Sequence, residues 1–108
     1  RWREVAASLV RQVRPGDLVV DATPDAATAL GYYVTDSRLA GTLLPADATP
    51  EWFRREAAGH PTVWLIVRAQ SESAGETARL DALVKGFQIA SREDDGGARV
   101  YELRPPTR

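Results

Sequence analysis

The sequence predicts an α/β fold: a Rossmann-like three-layer αβα sandwich, with a mainly parallel sheet of about five strands between its helices. Apolar residues recur first with the period of an amphipathic helix and then in short continuous runs, in the order α-β-α-β-α-β-α-β-β. Strands separated by helices pair in parallel, because the intervening helix carries the chain back along the sheet. The last two strands follow each other directly, which predicts a C-terminal β-hairpin with one antiparallel strand. The last strand fits either at the sheet edge or between the third and fourth strands.

The first half of the chain contains three helix signals and two strand signals. An apolar stripe at helical spacing predicts a first helix that stops at a Pro-Gly pair, and the run at 18–20 predicts a strand covered on both faces. Helices are expected over 24–33 and about 50–58, each after a Thr-Pro start, with a short strand at 43–44 between them. The stripe consists of Trp2, Val5, Ala6, Leu9, Val10 and Val13.

The second half of the chain begins with its strongest strand signal, at 62–67. Ser73 and Glu76 have the spacing of a capping box, which predicts a helix from there to about residue 85. Strands are expected over 87–92 and 99–103, on either side of an acidic, glycine-rich turn.

The composition is that of one globular domain, which we place at residues 1–104, followed by a tail over 105–108. The chain has 108 residues, of which 44% are hydrophobic and 27% charged, and a formal net charge of −1. A net charge so close to zero does not indicate a basic surface for binding nucleic acid. The absence of Cys excludes thiolate chemistry and the single His excludes a multi-histidine site, so we expect no metal and no cofactor. Because the chain lacks Met and begins with Arg, we expect it to be a segment of a longer polypeptide.

Candidate ligand-binding residues follow the predicted strands, because open parallel sheets bind ligands beyond the carboxyl ends of their strands. Asp21, Thr23 and Asp25 come after the first strand. Tyr33 ends the next helix, and Arg68 follows the third strand. The loops after the first and third predicted strands contain no phosphate-binding glycine motif. The carboxylates of Asp21 and Asp25 would also repel a phosphate. The two Asp residues could serve acid–base chemistry, but without a nearby His or Lys a loop and helix-start role is favoured, so we assign no catalytic residue.

A more specific pattern extends along nearly the whole chain. Its segments are Trp2-Arg3-x-x-Ala6-Ala7-x-x-Val10, Arg14-Pro15-Gly16-Asp17-Leu18-Val19-Val20, Ala29-Leu30-x-Tyr32-Tyr33, Val63-Trp64-Leu65-Ile66-Val67, a Gly-Phe pair, and Val100-Tyr101-Glu102-Leu103. With these segments the chain resembles the C-terminal soluble domain of bacterial polytopic membrane glycosyltransferases of the GT-C, family 39 kind, the mannosyltransferase-like group.

The resemblance implies a parent protein with many transmembrane helices before Arg1, which transfers a sugar from a polyprenyl-phosphate donor to an acceptor outside the cytoplasm. The catalytic acid would lie in that membrane part, so the resemblance carries no catalytic residue over to this chain. The domain would lie on the extracytoplasmic face of the cell membrane, with a structural, acceptor-positioning or partner-binding role. Its partners would be the membrane part of the same polypeptide and a glycan or envelope-protein acceptor.

Two other functions remain open at this point. A small-molecule or nucleotide-binding Rossmann-like module of a soluble protein predicts a deep pocket at the carboxyl ends of the first and third strands. A protein-interaction domain without a small ligand predicts an exposed apolar patch of more than a few hundred Å².

Overall fold

The computed structural model describes residues 2–23, 41–68, 73–95 and 97–106. The helix predicted over 24–33 lies outside these residues. The described residues form helices α1 (Trp2–Gln12), α2 (Pro50–Ala57) and α3 (Ala74–Val84), and strands β1 (Leu18–Asp21), β2 (Thr42–Leu43), β3 (Val63–Arg68), β4 (Gln88–Asp95) and β5 (Ala98–Arg104).

The five strands form one sheet in the order β2-β1-β3-β5-β4. β1 pairs in parallel with β2 and with β3, whereas β5 is antiparallel to both β3 and β4. Four strands therefore share one direction, and β5 runs against them from an interior position. The antiparallel pairing is the more extensive, because β3 and β5 pair over six residues each while β1 and β2 pair over only two.

The prediction of a Rossmann-like three-layer sandwich with a mainly parallel sheet is wrong. The fold is a mixed α/β arrangement in which most of the paired residues of the sheet belong to antiparallel strand pairs. The reason is the place of the hairpin, since β5 inserts beside β3 and so removes the parallel β3–β4 pair that alternating βα units would form. A tight turn fixes the pairing of β4 with β5, but it does not determine which of the two strands meets β3.

Side-chain caps set the starts of α2 and α3. The Thr49 hydroxyl accepts a hydrogen bond from the backbone N–H of Trp52 at 3.0 Å, and the Ser73 hydroxyl accepts one from Glu76 at 3.1 Å. Each cap satisfies a donor that has no partner within its own helix. The Glu76 carboxylate accepts a hydrogen bond from Arg79 at 3.2 Å, one turn further along α3.

The core lies on both faces of the sheet. α2 and α3 pack on one face, where the rings of Phe53 and Phe87 lie 5.0 Å apart, and α1 packs on the other face, over Val19, Trp64 and Ile66. Within the described ranges, no helix has the length and apolar character that crossing a bilayer requires. The buried residues on the α2–α3 face are Val20, Ala22, Leu44, Phe53, Ala57, Val63, Leu65, Val67, Leu80, Leu83, Val84, Phe87, Tyr101 and Leu103.

We expect Phe53→Ala to lower the free energy of unfolding by about 3–5 kcal/mol, because it leaves a cavity opposite Phe87. Phe53 has 0% exposure, so the whole ring is lost from the core. Urea unfolding followed by Trp fluorescence measures the change. Arg55→Ala, an exposed position of the same helix, is the control and should stay within about 0.5 kcal/mol of the parent.

Equal effects of the two substitutions would contradict the packing of α2 on the sheet. If Phe53→Ala does not fold, Phe53→Leu provides the milder test, with an expected loss of less than about 1.5 kcal/mol.

Candidate functional site

Asp21 lies at the carboxyl end of β1 and is buried. The sequence favours a loop position for it, but its backbone belongs to the sheet, opposite Leu43 of β2 and Ile66 of β3. Alternate residues of a strand share a face, so its side chain lies on the same face as Val19, towards α1. Only 3% of Asp21 is exposed, and it is the one buried polar residue among the described residues.

The close approach of Gly41 encloses the Asp21 carboxyl. A Cβ atom at position 41 would lie 2.5 Å from Oδ2 of Asp21 and 3.2 Å from the carbonyl oxygen of Val19. Real Cβ atoms essentially never come as close as the first distance, so only glycine fits here without movement of the carboxyl. The carboxyl therefore lies in close contact with the backbone at Gly41.

Burial raises the pKa of Asp21 to about 6, from an ordinary value of 3.8. Desolvation is the cause, because a charged carboxylate loses hydration that a neutral carboxyl hardly needs. Among the described residues, Oδ1 has no hydrogen-bond partner. The group can therefore release or take up a proton near neutral pH, which is a property of acid–base and ligand-binding carboxyls.

The other predicted ligand residues do not assemble around Asp21 in the described part of the chain. Arg68 ends β3 on the same face as Asp21. Thr23 lies just beyond β1, and it and Arg68 each have interactions of their own. Asp25 and Tyr33 lie outside the described residues.

At the opposite, amino edge of the strands, the Pro-Gly-Asp segment forms a clamp between α1 and β3. Oδ2 of Asp17 accepts hydrogen bonds from Nε1 of Trp64 and from the backbone N–H of Arg14, both at 3.0 Å. Gly16 has a φ of 95°, which glycine adopts at no steric cost. Its carbonyl oxygen lies 2.7 Å from Nδ1 of His60, which donates the bond in its Nδ1-protonated tautomer. These contacts tie the α1–β1 turn to the start of β3.

A groove of about 650 Å³ lies beside this clamp. Its lining residues include three arginines, Arg11, Arg14 and Arg104, and also Trp64 and Glu102. Arg104 stands 90 positions after Arg14 and reaches the groove only because β5 runs antiparallel beside β3. Sequence reasoning missed this groove, because Arg11 and Arg14 read as solvent-facing residues around a helix end and nothing in the pattern connects them with β5.

No cluster of three or more His, Asp or Glu side chains that could hold a metal ion occurs within residues 2–23, 41–68, 73–95 and 97–106. Comparison of the chain with protein-family models, with curated proteins and with solved structures finds no match. A function must therefore be proposed from the sequence resemblance, residue chemistry and geometry.

The raised pKa of Asp21 makes stability depend on pH. The folded state holds the proton more tightly than the unfolded state, so this group's contribution is fully present below about pH 4 and is lost as pH rises through about 6. The Asp21→Asn substitution replaces the carboxyl by an amide, which is uncharged at all pH values, and should remove this loss of stability. Between pH 4 and pH 7.5, we expect the free energy of unfolding of the variant to rise by roughly 2–3 kcal/mol relative to that of the parent.

Urea unfolding at a series of pH values measures the difference between the two proteins. Asp81→Asn, on the exposed side of α3, is the matched control and should follow the parent curve. If the free energy of unfolding varied with pH in the same way for Asp21→Asn and the parent, the pKa of the carboxyl would not be raised by folding.

The clamp should contribute measurably to stability. Asp17→Ala leaves the indole N–H of Trp64 and the N–H of Arg14 without their acceptor, and we expect a loss of about 1–3 kcal/mol. Asp81→Ala is the control, with an expected change of no more than about 0.5 kcal/mol. The Trp64 indole resonance in an NMR spectrum should shift in Asp17→Ala alone; an unchanged resonance would contradict the hydrogen bond.

Proposed function

We propose that this chain is a non-catalytic extracytoplasmic domain of a membrane glycosyltransferase that transfers a sugar from a polyprenyl-phosphate donor. Within that protein it has a structural, acceptor-positioning or partner-binding role. The proposal begins from the sequence resemblance and is supported by one structural observation, the hydrogen bond between Trp64 and Asp17.

This hydrogen bond joins two separate segments of the pattern that carries the resemblance. Asp17 belongs to the Pro-Gly-Asp segment and Trp64 to the hydrophobic strand segment, 47 positions later. The contact shows that the two segments lie together in one structural unit, as residues that characterise a single domain would.

Other residues of the pattern lie in the core of the sheet. Val19 and Val20 are buried on opposite faces of β1, and Tyr101 and Leu103 of β5 are buried on the α2–α3 face. The pattern thus describes the central strands and their anchors. This supports a domain whose characteristic residues maintain a scaffold, while any binding function belongs to the surfaces that the scaffold presents.

A ligand-binding module is the second candidate, and the burial of Asp21 favours it. Asp21 has a carboxyl oxygen with no partner among the described residues, and it lies at the carboxyl ends of parallel strands, where such sheets bind ligands. The 650 Å³ groove, however, lies at the amino ends of β1 and β3, away from the pocket that this candidate predicts.

Within the described part of the chain, the exposed large apolar side chains do not combine into one interaction patch. Leu43 and Ile89 are the exposed large hydrophobic residues among those described, with 47% and 49% exposure. Leu43 lies on β2 and Ile89 on β4, at opposite edges of the sheet, with three strands between them. At about 4.8 Å per strand, this separation is close to 20 Å.

Reporter fusions in the full-length parent protein test the proposed location. Alkaline phosphatase, which becomes active outside the cytoplasm, is joined after Arg104, and green fluorescent protein is joined at the same position in a second fusion. We expect phosphatase activity from the first fusion and no fluorescence from the second when export is through the general secretory route. The opposite pattern would refute an extracytoplasmic domain.

Deletion of residues 1–104 from the parent then tests the role. We expect membrane insertion to persist, while the KM for the acceptor rises or the abundance of the protein falls. Loss of kcat at saturating acceptor, with normal abundance, would show instead that the domain supplies a catalytic group. Unchanged KM, kcat and abundance would refute the structural and acceptor-positioning roles.

A further inference from the structure

The groove at the amino edge of the sheet has more positive than negative side chains. Three arginines, Arg11, Arg14 and Arg104, are among its lining residues, together with the acidic residues Asp17 and Glu102. The C-terminus of α1 adds about half a negative charge, so the positive excess is small. Affinity for an anion must therefore come from the placement of the arginines and not from a strong overall field.

The two carboxylates are already engaged. Asp17 accepts hydrogen bonds from Trp64 and from the backbone of Arg14. Glu102 accepts one from the Ser91 hydroxyl at 3.2 Å and lies 3.8 Å from the guanidinium of Arg104. These contacts hold both carboxylates in place against the protein.

The side chains of Arg11 and Arg14 have no ion-pair partner among the described residues. Both are exposed, and no described carboxylate lies within ion-pair distance of either guanidinium group. Arg11 lies in the last turn of α1, where a cation is favoured by the negative end of the helix. Two guanidinium groups at one groove, without carboxylate partners in the described structure, are available to an external anion.

We propose that this groove binds the phosphate group of an organic phosphate, through Arg11 and Arg14, with Arg104 contributing from β5. The planar guanidinium group donates two parallel hydrogen bonds and matches the geometry of phosphate oxygens. Pro15 and Pro61 also line the groove and offer apolar surface to the organic part of the ligand. The inference rests on the groove alone and does not depend on the proposed glycosyltransferase.

NMR titration of the chain tests the proposal with two kinds of probe. One is inorganic phosphate, and the other is phosphatidylcholine vesicles with or without phosphatidylglycerol. We expect phosphate, or vesicles that contain phosphatidylglycerol, to perturb the indole resonance of Trp64. A response to phosphate alone identifies a soluble phosphate ester as the ligand class, and a response to the anionic vesicles identifies a lipid headgroup; either supports the site.

The double variant Arg11→Gln/Arg14→Gln should bind the active probe at least about tenfold more weakly, since a hydrogen bond to a charged group contributes enough for that factor. Arg55→Gln/Arg54→Gln is the matched control, with the same change in charge on α2, across the sheet, and should bind as the parent does. An indole resonance of Trp64 at its parental position before titration shows that the variants are folded. Equal weakening in both double variants, unchanged binding in the groove variant, or no response of Trp64 to any probe would overturn the proposal.

Discussion

The interior position of β5 is the constraint on which the rest of this structure depends. β5 pairs with β3 on one side and with β4 on the other, so it connects the parallel part of the sheet to the hairpin. Its alternate side chains contribute to both core clusters, with Tyr101 and Leu103 below α2 and α3 and Ala98 on the face that α1 covers. Because β5 runs against the other strands, its last residues lie beside the start of β3. The same insertion therefore contributes to both sides of the core, joins the hairpin to the parallel strands and brings Arg104 to the groove.

Local signals in the sequence predict the elements of this fold well. The Thr-Pro start gives α2, Ser73 gives the start of α3, and both hydroxyls accept the expected backbone hydrogen bond. The glycine-rich turn correctly separates β4 from β5. These features succeed because capping and turn formation involve residues that are close together in the chain. The order of strands depends on contacts between distant residues, and the alternation of helices and strands led to the wrong class of sheet.

The candidate sites show the same difference between local features, which the sequence predicts, and long-range contacts, which it does not. The rule that ligands bind at the carboxyl ends of parallel strands led to Asp21, and β1 does end there. Its burial and its contact with Gly41 could not be predicted, because they depend on residues that are not adjacent in sequence. The arginine groove was missed because its residues come from a helix end, a turn and the last strand. Only the folded sheet places them together.

The contact between Gly41 and Asp21 also constrains how this chain can vary over evolutionary time. A Cβ atom at position 41 would lie 2.5 Å from Oδ2 of Asp21, so alanine there requires the carboxyl to move. A chain that keeps the carboxyl in this place must keep the glycine. The two positions are therefore coupled, and a change at one alters which residues the other can accept.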